Sequence, residues 1–279
     1  MLFSDRKLSE RLEQAEGYAC AQFAAARRRL IPNCNAEFMN SDGAFVVFDT
    51  VDSPVTQTFG LGLFQELNES SLAEVEEFFR LRGAPVYHEI SPFVGTAAIK
   101  LLCSQGYFPI EISNVLYRSI DLDSTEFSPT DSHSGVPSNN ITVRRVSQTE
   151  SDIWTEVNAR GWSHEQPELY DFALDVGKIL CVRENSYCFL AELDGKPAAA
   201  GTLSIHDGVA LFSGATTVPE MRRKGLQNAL LMARMRFAAK QQCELAMIVA
   251  DIGSTSQKNA ERNGFRVAYT RTKWKRVLV

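Results

Sequence analysis

A cationic turn between a predicted strand and a predicted helix carries the residues best suited to chemistry. It runs over residues 217–229 and contains Arg222, Arg223, Lys224 and Gly225. The first N–H groups of a helix have no partner inside the helix, and the helix dipole is positive there, so this position favours an anion. Glycine lets a bulky anion approach the backbone, and the three cations add charge. The segment therefore predicts a diphosphate site; the alternative is a solvated basic turn that only begins the helix.

Strands and a helix that would position this turn are predicted from periodicity and turn signals. Residues 187–193 and 198–205 are apolar runs separated by the turn residues 194–197, which predicts a hairpin. Residues 209–217 form the next strand, so three antiparallel strands follow one another. Apolar residues then recur at steps of three and four from Leu226, which predicts an amphipathic helix.

The rest of the carboxyl half also alternates between strand and helix patterns. Residues 141–146 predict a strand and residues 151–160 a helix. Further on, residues 244–250 predict a buried strand and residues 254–263 a second helix. Gly264 and Phe265 are then expected to open a final pair of strands.

The chain length and one polar segment predict two domains. The chain has 279 residues, and about 150 residues per domain gives roughly two. Residues 122–140 are rich in Ser, Asp, Thr, Pro, Gly and Asn, which is typical of a linker. We therefore predict an amino-terminal domain over residues 1–121 and a carboxyl-terminal domain over residues 141–279, each of the α/β (α+β) class.

The amino half contains a unit similar to the end of the carboxyl half. Ser71 and Glu74 predict a capping box for a helix through Arg82, followed by a strand over residues 85–90 and a helix over residues 95–104. Two strand–helix–Gly–aromatic units of nearly equal length recur, one ending at Gly106-Tyr107 and one at Gly264-Phe265. This indicates a degenerate tandem repeat; the alternative is coincidence between two common units.

Composition excludes several classes of protein. The net charge is −5 and the sequence pI about 5.5, which disfavours nucleic acid as a general partner. The charged amino end and the lack of a long apolar run predict a cytoplasmic protein without a membrane partner. Six cysteines without a CxxC pair predict reduced thiols and no metal site. Nothing in the sequence predicts the oligomeric state.

The cationic turn resembles the acetyl-CoA loop of the GNAT-type N-acetyltransferase superfamily. That pattern is Gln or Arg, two residues, Gly, one residue, then Gly or Ala, and Arg222, Gly225 and Gln227 occupy its positions. Gln227 departs from the pattern, because the family usually has a small residue there. The resemblance extends over residues 141–279, from the antiparallel opening strands to the Gly-Phe pair.

The resemblance implies tandem GNAT-like domains with mixed, mostly antiparallel sheets flanked by helices. It implies acetyl-CoA as co-substrate and direct attack of a primary amine, on a small molecule or a peptide, without a covalent enzyme intermediate. Pantetheine would lie between the strands over residues 209–217 and 244–250, bonded to backbone groups of Thr217 and Val218. The cofactor-binding candidates are Thr217, Val218, Arg222, Arg223, Lys224, Gly225, Leu226, Gln227, Asn228, Ser254 and Asn259.

The sequence departs most from the family pattern at the position where many relatives have the general acid. Many relatives place Tyr four residues before the Gly-Phe pair, where this chain has Ala260. Tyr269 is the nearest replacement as a catalytic residue; the alternative is a packed aromatic. A non-catalytic acyl-CoA sensor or interaction module therefore remains as a second hypothesis. Residues 161–171 are expected to contribute to the acceptor pocket.

The amino half lacks a comparable loop. After the strand predicted over residues 56–64, residues 65–70 contain no Gly, Arg or Lys and include two glutamates, which would repel a diphosphate. We therefore predict a degenerate GNAT-like domain that does not bind CoA.

Overall fold

Two units divide the chain, and one of them contains both ends of the sequence. The computed structural model describes residues 3–121, 140–164 and 166–276. The first unit comprises Met1–Tyr117 with Met247–Val279, and the second comprises Arg118–Ala246. The predicted carboxyl-terminal domain over residues 141–279 is therefore shared between the units. Residues 122–139, most of the predicted linker, lie outside the described residues.

Helices and strands follow one another along the described chain in a mixed order. The helices are α1 (Arg6–Leu30), α2 (Glu69–Arg80), α3 (Gly95–Ser104), α4 (Ser151–Trp162), α5 (Tyr170–Val182), α6 (Leu226–Lys240) and α7 (Thr255–Arg262). The strands are β1 (Glu37–Ser41), β2 (Ala44–Phe48), β3 (Gln57–Phe59), β4 (Tyr87–Ile90), β5 (Tyr107–Ser119), β6 (Ile141–Arg145), β7 (Ser186–Leu193), β8 (Lys196–His206), β9 (Val209–Thr217), β10 (Leu245–Asp251) and β11 (Arg266–Arg276). In this part of the chain, no helix has both the length and the apolar character to cross a membrane.

The sheet of the first unit explains why residues 247–279 group with the amino-terminal part. Its strand order is β1-β2-β3-β4-β11-β5, so the last strand of the chain lies between two strands of the amino half. Thr272 pairs with Ile90 on β4, and Tyr269 pairs with Val115 on β5. Only the β3–β4 pair is parallel among these neighbours. β11 is one long strand, whereas the sequence predicted a pair of strands after Phe265.

Helix α1 packs on this sheet and was not predicted. The Asp5 side chain accepts a hydrogen bond from Leu8 N at 2.8 Å and so caps its amino end. Leu12 and Phe23 are buried along the helix, which is the amphipathic spacing of a core-facing helix. Three arginines, Arg27 to Arg29, lie in the last turn, where their positive charge interacts favourably with the negative end of the helix dipole.

Helix α2 begins earlier than predicted, and its cap differs. Asn68 is the N-cap: its side chain accepts from Ser71 N at 3.0 Å, and the Ser71 hydroxyl accepts from Asn68 N. The predicted capping box of Ser71 with Glu74 is therefore wrong. Asn68 is a strong capping residue, and it precedes Ser71 by the three residues that the motif requires.

The second unit carries the predicted hairpins. Its strands β6, β7, β8 and β9 are antiparallel neighbours in chain order, which confirms the three-stranded prediction. Helix α6 follows β9, also as predicted. Helix α5 was not predicted; it packs against α4, where Gly177 faces Thr155 closely enough that a Cβ would lie 2.8 Å from its methyl group.

Candidate cofactor site

The backbone between β9 and α6 leaves the amino end of the helix without a side-chain cap. Gly225 is the N-cap residue with φ +85°, and no side chain bonds to the first N–H groups. Arg223 also has a left-handed φ of +63°. Such conformations are rare for residues other than glycine and are often found at ligand sites. The first N–H groups of α6, which have no side-chain cap, can therefore receive an external anion.

The predicted cations of the turn lie on the surface of the protein. Arg222, Arg223, Lys224 and Gly225 are all exposed. Within the described ranges, none of the three cations forms an ion pair, and the Lys224 ammonium lies 3.5 Å from the Met221 sulfur. Their charge is therefore available to a bound anion in a chain whose net charge is −5.

Arg222 also links the turn to helix α4. Its Nε donates to the Thr217 carbonyl and its Nη2 donates to the Gly161 carbonyl, both at 3.3 Å. Gly161 lies so close to β9 that a Cβ there would stand 2.7 Å from the Thr216 methyl carbon. An ion pair between Arg160 and Glu220 adds a second link. The end of α4 and the turn therefore form one connected region.

Thr217 and Gln227 are joined directly. The Gln227 Nε2 donates to the Thr217 hydroxyl oxygen at 2.7 Å. The amide that replaces the family's small residue therefore has a partner inside the protein. Leu226 is buried in the first turn of α6, whereas Asn228 is exposed.

The backbone groups of Val218 are already engaged. Its N–H donates to the Ala198 carbonyl and its carbonyl accepts from Met221 N, both at 3.0 Å. The sequence-based expectation placed pantetheine against Val218 and Thr217. A pantetheine arm would therefore compete with these contacts at Val218.

Strand β9 contains a bulge relative to β8, which the sequence did not predict. Thr202 pairs with Ser213 and Ala200 pairs with Thr216, so Gly214 and Ala215 have no partner residue in β8. Gly214 has φ +60°, and Ala215 is exposed. A glycine inside a predicted strand is the signal that could have indicated this bulge.

Tyr269 occupies a different environment from the one expected of a catalytic acid. It is 5% exposed in the first unit, and its hydroxyl donates to Glu13 Oε1 at 2.9 Å. Burial, together with the Glu13 carboxylate, raises the pKa of Tyr269 well above its usual range. Its ring packs edge-to-face on Phe93. These contacts favour the alternative of a packed aromatic.

Two other candidates also belong to the first unit. Ser254 caps α7 by accepting from Gln257 N at 3.1 Å, and the Asn259 carbonyl accepts from Asn263 Nδ2 at 2.8 Å. Their roles in cofactor binding stay predictions. In the expected acceptor loop, Trp162 is 57% exposed at the end of α4, and residue 165 lies outside the described residues.

Comparisons with known proteins give one family model that matches part of the carboxyl half and several solved structures with a similar fold. Residues 145–265 match the family model of the acetyltransferase (GNAT) family. A GCN5-related N-acetyltransferase from Kribbella flavida is 16% identical, with 92% of this chain and 95% of that chain covered and a TM-score of 0.58. One from Sphaerobacter thermophilus is 16% identical, with 94% and 93% covered and a TM-score of 0.51.

A third solved structure has two such domains. It is a tandem GNAT protein from the clavulanic acid biosynthesis pathway, 12% identical, with 92% of this chain and 94% of that chain covered and a TM-score of 0.53. At these identities the likeness shows the fold alone. Among curated proteins, no sequence matches this chain.

Proposed function

We propose that this chain transfers an acetyl group from acetyl-CoA to a primary amine, because residues 145–265 match the family model of the acetyltransferase (GNAT) family. The observation that carries the proposal is the uncapped amino end of α6 behind three exposed cations without ion pairs among the described residues. The linked phosphates of CoA carry the charge and acceptor oxygens that such a site binds. The residues present therefore fit the group.

In this proposal each segment of the second unit has a defined task. The first turn of α6 and Gly225 receive the diphosphate through backbone N–H groups. Arg223 and Lys224 add attraction, while Arg222 keeps the turn joined to the end of α4. Backbone groups of the β9 bulge lie upstream and pair with the pantetheine arm as an added strand would.

The chemistry itself needs little from side chains. Fixed N–H dipoles at Gly214 and Ala215 can polarise the thioester carbonyl, which stabilises negative charge on its oxygen. The amine nitrogen forms a bond to the carbonyl carbon, the carbon–sulfur bond breaks, and the proton lost by the amine balances the one gained by the thiolate. Holding amine and thioester in one orientation supplies much of the rate.

The amino half is proposed to lack this activity, and its structure supports the contrast. The start of α2 is capped by its own Asn68, with Ser71 closing the capping box. Glu69 places a negative charge in the first turn. The Ser71 N–H therefore already has a partner inside the protein, and the local charge has the wrong sign for a phosphate.

A charge-reversal experiment tests the cofactor site. The variant Arg223→Glu with Lys224→Glu should raise the Kd for acetyl-CoA at least about tenfold in calorimetry, because charge-assisted hydrogen bonds are lost. Arg222 is avoided, since it also bonds Gly161. The matched control, Arg236→Glu with Lys240→Glu, changes the same charge on exposed positions of α6 and should alter the Kd less than about threefold.

Equal effects of the two double variants would contradict the proposed site, and so would an absence of binding by the unmodified chain. The second hypothesis, an acyl-CoA sensor, is supported by Ala260 at the usual acid position and by the engaged hydroxyl of Tyr269. Thiol release from acetyl-CoA across a panel of amines separates the two. Turnover with any amine excludes the sensor; binding without turnover on the whole panel favours it.

A further inference from the structure

Arg234 is a buried cation that the proposed site leaves unexplained. It lies on α6 one turn after Leu230 and is 2% exposed. In the described part of the chain, it forms no ion pair with a carboxylate. Burying a guanidinium without a counter-charge is costly unless its N–H groups are well satisfied. A residue of this kind therefore needs a structural or functional reason at its position.

Backbone carbonyls of two neighbouring strands supply the partners of Arg234. Its Nη1 donates to the Thr202 carbonyl on β8 at 2.8 Å and lies 3.4 Å from the Ser213 carbonyl on β9. Its Nε donates to the Leu230 carbonyl at 3.3 Å. The guanidinium carbon lies 5.2 Å from the centre of the Phe212 ring. One cation thus bridges β8, β9 and α6.

Those two carbonyls mark the place where the β8–β9 ladder changes register. Thr202 and Ser213 are the last pair before Gly214 and Ala215, which have no partner residue in β8. The Thr202 hydroxyl donates a further hydrogen bond to the Ser213 carbonyl at the same place, at 3.0 Å. A bulge disrupts the regular ladder, and buried carbonyls need other donors there. Arg234 and Thr202 provide them.

Strand β8 is shaped to admit the guanidinium. Gly201 lies opposite the bulge, and a Cβ at that position would stand 3.0 Å from both Cζ and Nη1 of Arg234. This is tighter than an ordinary van der Waals contact. Glycine at residue 201 and arginine at residue 234 are therefore a matched pair around the bulge.

We infer that Arg234 is a positioning residue for acetyl transfer, which holds the β9 bulge so that Gly214 and Ala215 present their backbone groups to the thioester. This inference rests on the proposed function. Burial lowers the pKa of Arg234 to about 10, so the guanidinium remains protonated at neutral pH. Its positive charge also polarises the carbonyls that it binds, which strengthens the neighbouring hydrogen bonds.

Kinetics of two substitutions test the inference. In Arg234→Leu, which removes the donors but keeps an apolar side chain, the Kd for acetyl-CoA should rise less than about tenfold, because the cationic turn is untouched and only the contacts of the bulge with the pantetheine arm are weakened. The turnover rate at saturating acetyl-CoA and amine should fall about a hundredfold, the effect typical of losing an oriented donor to the thioester oxygen. Arg234→Lys should recover part of that rate, since one ammonium can bond one of the carbonyls.

A control and a second readout separate this role from general stability. Met235→Ala removes a buried side chain from the same helix but no hydrogen bond to the strands, so it should lower stability and leave the turnover rate nearly unchanged. Amide hydrogen exchange over residues 211–217 should accelerate in Arg234→Leu by more than its loss of global stability accounts for, and in Met235→Ala by no more than that loss accounts for. Amide exchange is measured without substrate, so it shows whether the substitution destabilises the bulge even if acetyl-CoA does not bind.

Two results would overturn the inference. One is exchange over residues 211–217 in Arg234→Leu that accelerates no more than its loss of global stability accounts for, which would mean that the bulge does not depend on the arginine. The other is accelerated exchange with a wild-type turnover rate, which would mean that the bulge does not position the thioester. Failure of the unmodified chain to bind or turn over acetyl-CoA would instead contradict the proposed function.

Discussion

Gly225→Ala is the substitution that most sharply separates cofactor binding from folding. Gly225 has φ +85°, and the nearest heavy atom to an added Cβ would be Ile141 Cδ1 at 3.7 Å, an ordinary contact. The folded protein thus has room for the methyl group, and the cost is the backbone conformation. For a residue other than glycine, a left-handed conformation costs about 1–2 kcal/mol.

Gly195→Ala is the matched control in the same unit. Gly195 lies in the β7–β8 turn with φ +74°, and no atom lies within 4 Å of an added Cβ. Its expected loss of stability is the same, about 1–2 kcal/mol. Only Gly225, however, lies at the start of α6, where the added carbon would stand between a phosphate and the first N–H groups.

Calorimetric titration with acetyl-CoA, beside urea unfolding, is the assay for this pair. Both variants should lose similar stability, while only Gly225→Ala should bind acetyl-CoA about ten- to a hundredfold more weakly. That range corresponds to the loss of one charge-assisted hydrogen bond of about 1.5–3 kcal/mol. Wild-type affinity in Gly225→Ala, with the expected loss of stability, would refute the argument that the phosphates approach this backbone.

Two further predictions concern folding. Burial raises the pKa of Glu13 to about 7, although the Arg271 guanidinium lies 3.1 Å from its carboxylate. Between pH 4.5 and 7 the native state therefore keeps a proton on Glu13 that the unfolded state has released. The stability that this proton contributes is lost as the pH rises to about 7. Glu13→Gln should therefore lose less stability than the unmodified chain between pH 4.5 and 7 in urea unfolding; parallel profiles would contradict this. Gly161→Ala should destabilise the chain by about 1–3 kcal/mol through overpacking against Thr216, with partial recovery when Thr216→Ala is added. Unchanged thermal unfolding of the single variant would show that α4 shifts without cost.

Local signals in the sequence were sufficient for the segment that carries the site. The turn at Asp194-Gly195 and the alternating runs beside it predict the β7–β8 hairpin. The apolar steps from Leu226 predict α6, and Gly225 marks its start. Each of these features depends on residues close together in the chain, so a single sequence can show them.

Features that depend on distant partners could not be predicted in this way. β11 lies between β4 and β5 because of pairings such as Thr272 with Ile90, which no local pattern encodes. Helix α1 was missed because its buried face includes a charged residue, Glu13, that weakens the apolar periodicity. Tyr269 lies in β11, and its hydroxyl partner on α1 is equally distant in sequence.

Arg234 shows an intermediate case. It follows Leu230 by four residues, so the helical spacing places a charge on the buried face of α6, and Gly214 interrupts an otherwise regular strand. Both are visible irregularities. Their meaning depends on each other, because the arginine is satisfied by carbonyls at the bulge, and that relation is visible only in three dimensions.

A crystal structure of the chain with acetyl-CoA would locate the phosphates of the cofactor relative to helix α6. We expect the linked phosphates to lie against the backbone N–H groups that follow Gly225, with the pantetheine arm running along β9 toward Ala215. Phosphates bound at any other place, with the first turn of α6 left empty at saturating ligand, would contradict this expectation.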